Sequence, residues 1–283
     1  MRKACIFIVY AYCCLFLLTG YEQGREVPTE IEKVDLKLNN EEVAITFLSL
    51  SNGEATLVQN EKGEGLLINS GHEESQLELK KYLDVYGITQ INTIVLTKLD
   101  PHYMGNLHYL ISQYKIQHVI IPFLSENAAL PSVNIPNNKW KEGDQDFEQF
   151  GLSIQVLQID QENKGMDLLL KYGEHRFLFM ANANESQELE LTKKFNLKDV
   201  NILKVAEFAK KTGTSQRLLE EVDPQVAIIF QRRNSYPSAD VLERLQSTWI
   251  DIYYTKQFGN VTVKCKKDNY EVITLSVESL NRL

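Results

Sequence analysis

Apolar and polar positions along this chain alternate in short blocks that suit strands and helices in turn. Apolar runs at 43–50, 55–59 and 65–68 read as three strands, separated by the turn residues Ser51-Asn52-Gly53 and Lys62-Gly63-Glu64-Gly65. Residues 74–86 carry helical spacing, with Leu77, Tyr82, Leu83 and Tyr86 near one face and Gly87 as the stop signal. A strand at 93–96, a helix at 107–114 and a strand at 118–121 complete a first half. Residues 125–149 hold Pro131, Pro136 and several Asn, and the pattern predicts a long loop there. The second half predicts strands at 154–159, 167–172, 176–180, 202–205 and 226–230, with helices at 186–195, 214–221 and 239–246. Strands at 250–254, 260–265 and 270–276 close the chain. Two β-rich halves with helices outside fit an α/β protein, a four-layer αββα sandwich over 41–283. No repeat of 20–50 residues is evident.

The first 40 residues differ in kind. Arg2 and Lys3 precede an apolar run at 4–18 and the small residues Thr19 and Gly20, the parts of a secretory signal. The expectation is an exported protein of a bacterial cell, extracellular or at the cell surface. Residues 1–20 act as a signal peptide or as an N-terminal membrane tether through 4–18, and 21–40 form a polar linker. Leu18-Thr19-Gly20 matches the start of a lipobox, but Tyr21 stands where the lipidated Cys belongs. Cys5, Cys13 and Cys14 fall within this segment, which leaves Cys265 alone in the domain and no internal disulfide. A domain without that staple draws its stability from its core, which 283 residues can build. Composition is ordinary for a globular chain, 43% hydrophobic and 24% charged. The net charge of −8 counts against a broad nucleic-acid surface, although Lys210-Lys211, Arg232-Arg233 and Lys264 to Lys267 are local basic strips.

The chemistry centres on Thr97-Lys98-Leu99-Asp100-Pro101-His102-Tyr103-Met104-Gly105, directly after the strand at 93–96. It resembles the metal loop T-H-x-H-x-D-H-x-G of the metallo-β-lactamase fold superfamily. Other segments follow in that superfamily's order, most of all that of the extracellular or periplasmic domain of ComEC-type competence proteins, over about 43–276. Thr46-Phe47-Leu48-Ser49-Leu50-Ser51-Asn52-Gly53-Glu54-Ala55 is similar to F-L-D-V-G-Q-G-D-A, and Leu66-Leu67-Ile68-Asn69-Ser70-Gly71 to I-L-I-D-T-G. Arg176 to Asn182 is similar to the segment ending in T-G-D, and Ile202 to Lys210 to V-L-K-V-P-H-H-G-S. Asp223 to Ile229 resembles K-P-x-V-A-I-I, and Asn234-Ser235-Tyr236-Pro237 resembles N-x-H-P.

The departures fall on the positions that carry charge or metal. Lys98, Asp100, His102, Tyr103, Asn182, Glu207 and Tyr236 stand where the family has ligands, and Asn69 and Glu54 stand for Asp. The resemblance implies two metal ions that activate a bridging water. Here only Asp100, His102 and Glu207 are ordinary ligands, and Lys98 would put an ammonium beside a dication. The expectation is therefore no dinuclear centre and no cofactor. Lys98, Asp100 and Glu207 would form an ion pair or small network, and Tyr103 and Tyr236 would close the former metal pocket. A single weakly held zinc or manganese ion on Asp100, His102 and Glu207 stays open. So does acid–base chemistry by His102, though no Ser-His-Asp or Cys-His pattern supplies a nucleophile.

Three functions follow from this reading. The leading one is a non-catalytic protein that binds a small ligand or a protein partner. The second is an atypical hydrolase of phosphodiesters or esters, and the third an accessory in DNA uptake, which rests on fold analogy alone.

Overall fold

Alternation within the strands determines which layer each side chain enters. In a strand successive side chains point to opposite faces, and here both faces are covered, so the runs are apolar almost throughout. The computed structural model describes residues 33–124, 137–144 and 147–276. The predicted signal segment and most of the predicted linker lie outside the described residues. No helix among the described residues is long and apolar enough to cross a membrane.

In chain order the strands are β1 (Val43–Phe47), β2 (Thr56–Gln59), β3 (Glu64–Ile68), β4 (Gln90–Val95), β5 (His118–Pro122) and β6 (Asn137–Trp140). Then come β7 (Phe147–Gln149), β8 (Leu152–Asp160), β9 (Gly165–Tyr172), β10 (His175–Phe179), β11 (Ile202–Lys204) and β12 (Val226–Ile229). The last are β13 (Asp251–Tyr254), β14 (Asn260–Cys265) and β15 (Tyr270–Leu275). The α-helices are α1 (Gln76–Val85), α2 (Pro101–Met104), α3 (Leu107–Gln113), α4 (Glu185–Lys194), α5 (Gln216–Val222), α6 (Ala239–Ser247) and α7 (Thr255–Phe258).

The strands form two mixed sheets. One runs β15-β14-β1-β2-β3-β4-β5-β6 and the other β13-β12-β11-β10-β9-β8-β7. Phe47, Val58 and Ile68 of the first sheet share one core with Ile154, Leu168, Phe177 and Ile228 of the second. The rings of Phe47 and Phe179 stack across it with centroids 5.7 Å apart. The neighbours of these residues in sequence point the other way. Leu48 and Leu67 meet Leu79, Leu83, Leu107 and Leu110 of α1 and α3. Leu178, Leu203 and Ala227 meet Leu191, Leu218 and Leu245 of α4, α5 and α6. Three apolar layers thus separate four structural ones, as an αββα sandwich requires. Each buried Leu or Phe contributes roughly 1.5–3 kcal/mol, so the arrangement needs no disulfide.

β3 to β6 run parallel to one another, as do β10 to β13. The loops at the carboxyl ends of parallel strands are where open α/β sheets place their sites. Here the loops after β3, β4, β10, β11 and β12 carry Asn69, Lys98, Asn182, Glu207 and Tyr236 respectively.

The predicted loop over 125–149 needs correction. β6 adds a parallel strand beside β5, and β7 pairs antiparallel with β8. Both are edge strands of three or four residues, too short and too polar at Asn137-Asn138-Lys139 to show a period. The one-turn helices α2 and α7 also escape the pattern, since four residues cannot show a 3.6-residue period.

Candidate functional site

The loop after β4 is pinned to both sheets before its side chains do anything. Leu96 N–H donates to Ile120 O (2.8 Å), so the first sheet continues one residue past β4. Thr97 O accepts from Met166 N–H (2.7 Å), and Leu99 N–H donates to Lys164 O (3.0 Å). Lys98 forms a β-bridge with Gly165 in the hairpin of the second sheet. Asn69, in left-handed backbone at φ 63°, locks the loop from the other side. Its carbonyl accepts from Thr97 N–H (2.8 Å) and its amide donates to Thr97 Oγ1 (2.9 Å). Asp100 then caps α2, accepting from His102 N–H at 2.9 Å with Pro101 in the first turn.

Lys98 turns toward the loop after β11. Its Nζ lies 2.5 Å from Glu207 Oε1, with both side chains mostly buried. Lys210 reaches the other carboxylate oxygen of Glu207 at 3.2 Å. Burial alone would raise the Glu207 pKa, but the hydrogen bonds and charges of Lys98 and then Lys210 outweigh it and hold the carboxyl below its usual range. Three consecutive non-glycine residues, Glu207, Phe208 and Ala209, have φ of 42°, 57° and 61°. Such backbone costs roughly 1–2 kcal/mol per residue, and it aims Glu207 inward.

Asp100 makes a different pair. Its Oδ1 lies 2.9 Å from His102 Nδ1. Burial tends to raise its pKa, yet the backbone and ring hydrogen bonds of His102, and the charges of His102 and Lys98, lower it. The expected network of Lys98, Asp100 and Glu207 is thus two pairs side by side. The His102 ring lies between His72 (centroids 5.0 Å apart) and Phe208 (5.9 Å).

Tyr103 is fully enclosed. Lys98 Nζ and Lys204 Nζ lie 6.0 and 5.9 Å from its ring centre. Burial, followed by the negative charge of Glu54, drives its hydroxyl pKa well up, so it stays a neutral phenol. Lys204 and Glu54 form a buried ion pair at 2.7 Å, with side chains 0% and 2% exposed. Beside it, Asp167 is pushed up to about 6 by burial, although Ala181 N–H and Gln158 Nε2 donate to it. Asn182 is buried too, and neither its amide oxygen nor its amide nitrogen has a hydrogen-bond partner. It packs over Gly165, where a Cβ would run into its carboxamide.

Tyr236 does not close this pocket. It is 78% exposed, and Lys256 Nζ sits 5.0 Å over its ring. Proline follows it in sequence, and the loop carries it outward. The other lone groups are accounted for by packing. Cys265 is buried in β14 with its thiol pushed up to about 12 by burial, and His175 is buried edge-on against Tyr270.

Lys204, Asp167 and Phe208 escaped the sequence reading. A lysine inside Ile202-Leu203-Lys204-Val205 and an aspartate inside Met166-Asp167-Leu168 were the available signals. A charge in a strand buried on both faces needs a partner.

No family model matches the sequence. Two curated proteins do. ComE operon protein 3 of Bacillus subtilis (strain 168) is 24% identical over 201 residues, covering 65% of this chain and 26% of that protein. Recombination protein 2 of Haemophilus influenzae (strain ATCC 51907 / DSM 11121 / KW20 / Rd) is 25% identical over 242 residues, covering 81% and 29%. The chain therefore spans little more than a quarter of their length. Among solved structures, the Bacillus subtilis metallo-β-lactamase fold protein YhfI superposes with a TM-score of 0.54 at 8% identity, over 82% of this chain and all of that one. A variant of the β-hydroxylase CmlA gives 0.56 at 11% identity, over 79% of this chain and 54% of that one. The chain has the metallo-β-lactamase fold.

The metallo-β-lactamase fold brings an expectation of metal, which the donor set here can be tested against. Among the described residues, no group of three or more His, Cys, Asp or Glu is placed to hold an ion. Glu207 already accepts from two ammonium groups. Asp100 and His102 satisfy each other. Asn182 is a neutral amide that cannot balance two dications. These side chains do not fit a dinuclear metal centre.

Proposed function

We propose that this chain is an exported, non-catalytic member of the metallo-β-lactamase fold that acts by binding a small ligand or a protein. The observation that carries this reading is the Lys98–Glu207 pair at 2.5 Å. An ammonium there brings one positive charge with its own hydrogen-bond donors, so a metal ion would have to displace it against charge repulsion. Lys204 and Glu54 add a second internal neutralisation nearby. Export and residence at the cell envelope are supported by the charged, apolar and small-residue order of the first 20 residues.

One observation favours a second reading, a hydrolase of esters or phosphodiesters. The Asp100–His102 pair at 2.9 Å has the geometry in which a carboxylate orients an imidazole for proton transfer. An accessory role in DNA uptake rests on the resemblance of the segment order to ComEC-type competence proteins alone, and the net charge of −8 weighs against direct DNA contact.

The test is hydrolysis of bis(p-nitrophenyl) phosphate and p-nitrophenyl acetate by the purified protein, with and without added zinc or manganese. The binding reading predicts the same background rate for the wild type, Asp100→Ala and His102→Ala. Turnover in the wild type that both substitutions abolish establishes the hydrolase instead.

A further inference from the structure

The buried Lys204–Glu54 pair carries more hydrogen-bonding capacity than the pair itself uses. Its two members and Tyr103 are held by rigid backbone. Glu54 N–H donates to His102 O (3.0 Å), and Glu54 O accepts from Gly71 N–H (2.8 Å). Lys204 ends β11, paired in parallel with Phe179 of β10 on one side and Ile228 of β12 on the other. Tyr103 sits in α2 and reaches the core between the two sheets. The side chains of Lys204 and Glu54 are 0% and 2% exposed, and Tyr103 is 2% exposed, so bulk solvent does not serve any of the three.

An ammonium has three N–H donors. One from Lys204 goes to Glu54 Oε2 at 2.7 Å, and among the described residues no other acceptor takes the remaining two. Glu54 Oε1 and Tyr103 Oη are buried, and neither has a hydrogen-bond partner. The Tyr103 ring does not make up the shortfall, because Lys204 Nζ stands 5.9 Å from its centre, at the outer limit of a cation–π contact. Buried polar groups left in this way are costly, and folded proteins meet them with protein atoms or ordered water.

The mixture of spare donors and spare acceptors decides the occupant. Lys204 and Glu54 already cancel each other's charge. An anion drawn to Lys204 would be repelled by Glu54 Oε1, and a cation drawn to Glu54 would be repelled by Lys204. Water offers both donors and acceptors. A single molecule can accept from Lys204 and donate to Glu54 Oε1 and Tyr103 Oη, which makes the three bonds common for a buried water. We infer that Lys204, Glu54 and Tyr103 form an internal hydration site, with at least one ordered water bonded to Lys204 Nζ, Glu54 Oε1 and Tyr103 Oη together. That water joins β11 of the second sheet to the loop after β1 and to α2. The site is the same whether the protein binds its ligand or hydrolyses it.

A high-resolution crystal structure of the wild type, with anomalous data, tests this together with oxygen-17 relaxation dispersion, which counts long-lived internal waters in solution. The map should show a water within hydrogen-bond distance of all three atoms and without anomalous signal. The double variant Lys204→Met with Glu54→Leu should hold at least one long-lived water fewer than the wild type. Tyr103→Phe removes one of the three bonds and should shorten the residence time of that water roughly fivefold, as for loss of one neutral hydrogen bond. Melting curves report that each variant is folded. The inference is overturned if the map shows the Tyr103 hydroxyl bonded directly to Glu54 with no water, or an ion in the water's place. It is equally overturned if the folded double variant keeps the wild-type count.

Discussion

Lys98 and Glu207 lie 109 positions apart in sequence and join at 2.5 Å, one from each half of the sandwich. The pair ties the loop after β4 to the strained loop after β11. Replacing Lys98 by Met leaves Glu207 with Lys210 as its remaining partner, and the Glu207 pKa should rise toward and past its ordinary value. Carboxyl-carbon NMR titration reads that shift. The loss of stability should be about 1–3 kcal/mol at neutral pH. A Glu207 carboxyl lowered in the folded state stabilises above its unfolded pKa and loses this as pH falls through the folded value. The wild type and Lys98→Met should therefore converge in stability on acidification below about pH 4.

The Lys204–Glu54 pair is more deeply buried, and removal of one partner strands a charge. Lys204→Met should cost about 3–5 kcal/mol by chemical denaturation, and the double change Lys204→Met with Glu54→Leu should recover most of it. Strictly additive losses would show that the pair does not act as a unit.

Asp167 supplies a pH dependence of opposite sign. Its pKa is raised from 3.8 to about 6 by burial. Its contribution is fully present below about pH 4 and fades as pH rises through 6. The amount is about 3 kcal/mol. Asp167→Asn keeps a carbonyl for Ala181 N–H, and Gln158 can turn its amide to meet the new donor. The stability difference between wild type and Asp167→Asn, measured from pH 4 to 8, should therefore shift against the wild type by that amount.

Much of this fold was legible in the sequence, because strands buried on both faces leave long apolar runs at Val43 to Leu50, Leu66 to Ile68 and Val226 to Phe230. Those runs also carried the order of segments that resembles the metallo-β-lactamase fold. The short edge strands β6 and β7 left no such mark. Within the site, the Lys98–Glu207 pairing followed from charge and position. The partition of Asp100 to His102 did not, since it depends on the helix cap that places both groups within one turn. Tyr236 was misplaced because alignment assigns a position in the loop but not the direction of a side chain. Lys204 and Asp167 were missed because neither belongs to a ligand position, although each is a charge in an apolar strand.

Gly165 should tolerate no side chain. A Cβ would meet the Asn182 carboxamide, so Gly165→Ala should lose about 1–3 kcal/mol from overpacking. Adding Asn182→Ala should restore most of that loss, because it also removes two unpartnered polar atoms. Thermal denaturation of the four proteins in the cycle measures the coupling.

The central claim is that lysine charge has taken over the metal's place. Elemental analysis by plasma mass spectrometry, on purified protein equilibrated with zinc and manganese and then dialysed, tests it most directly. The account predicts only trace metal in the wild type. One or two ions per chain that survive dialysis would contradict it.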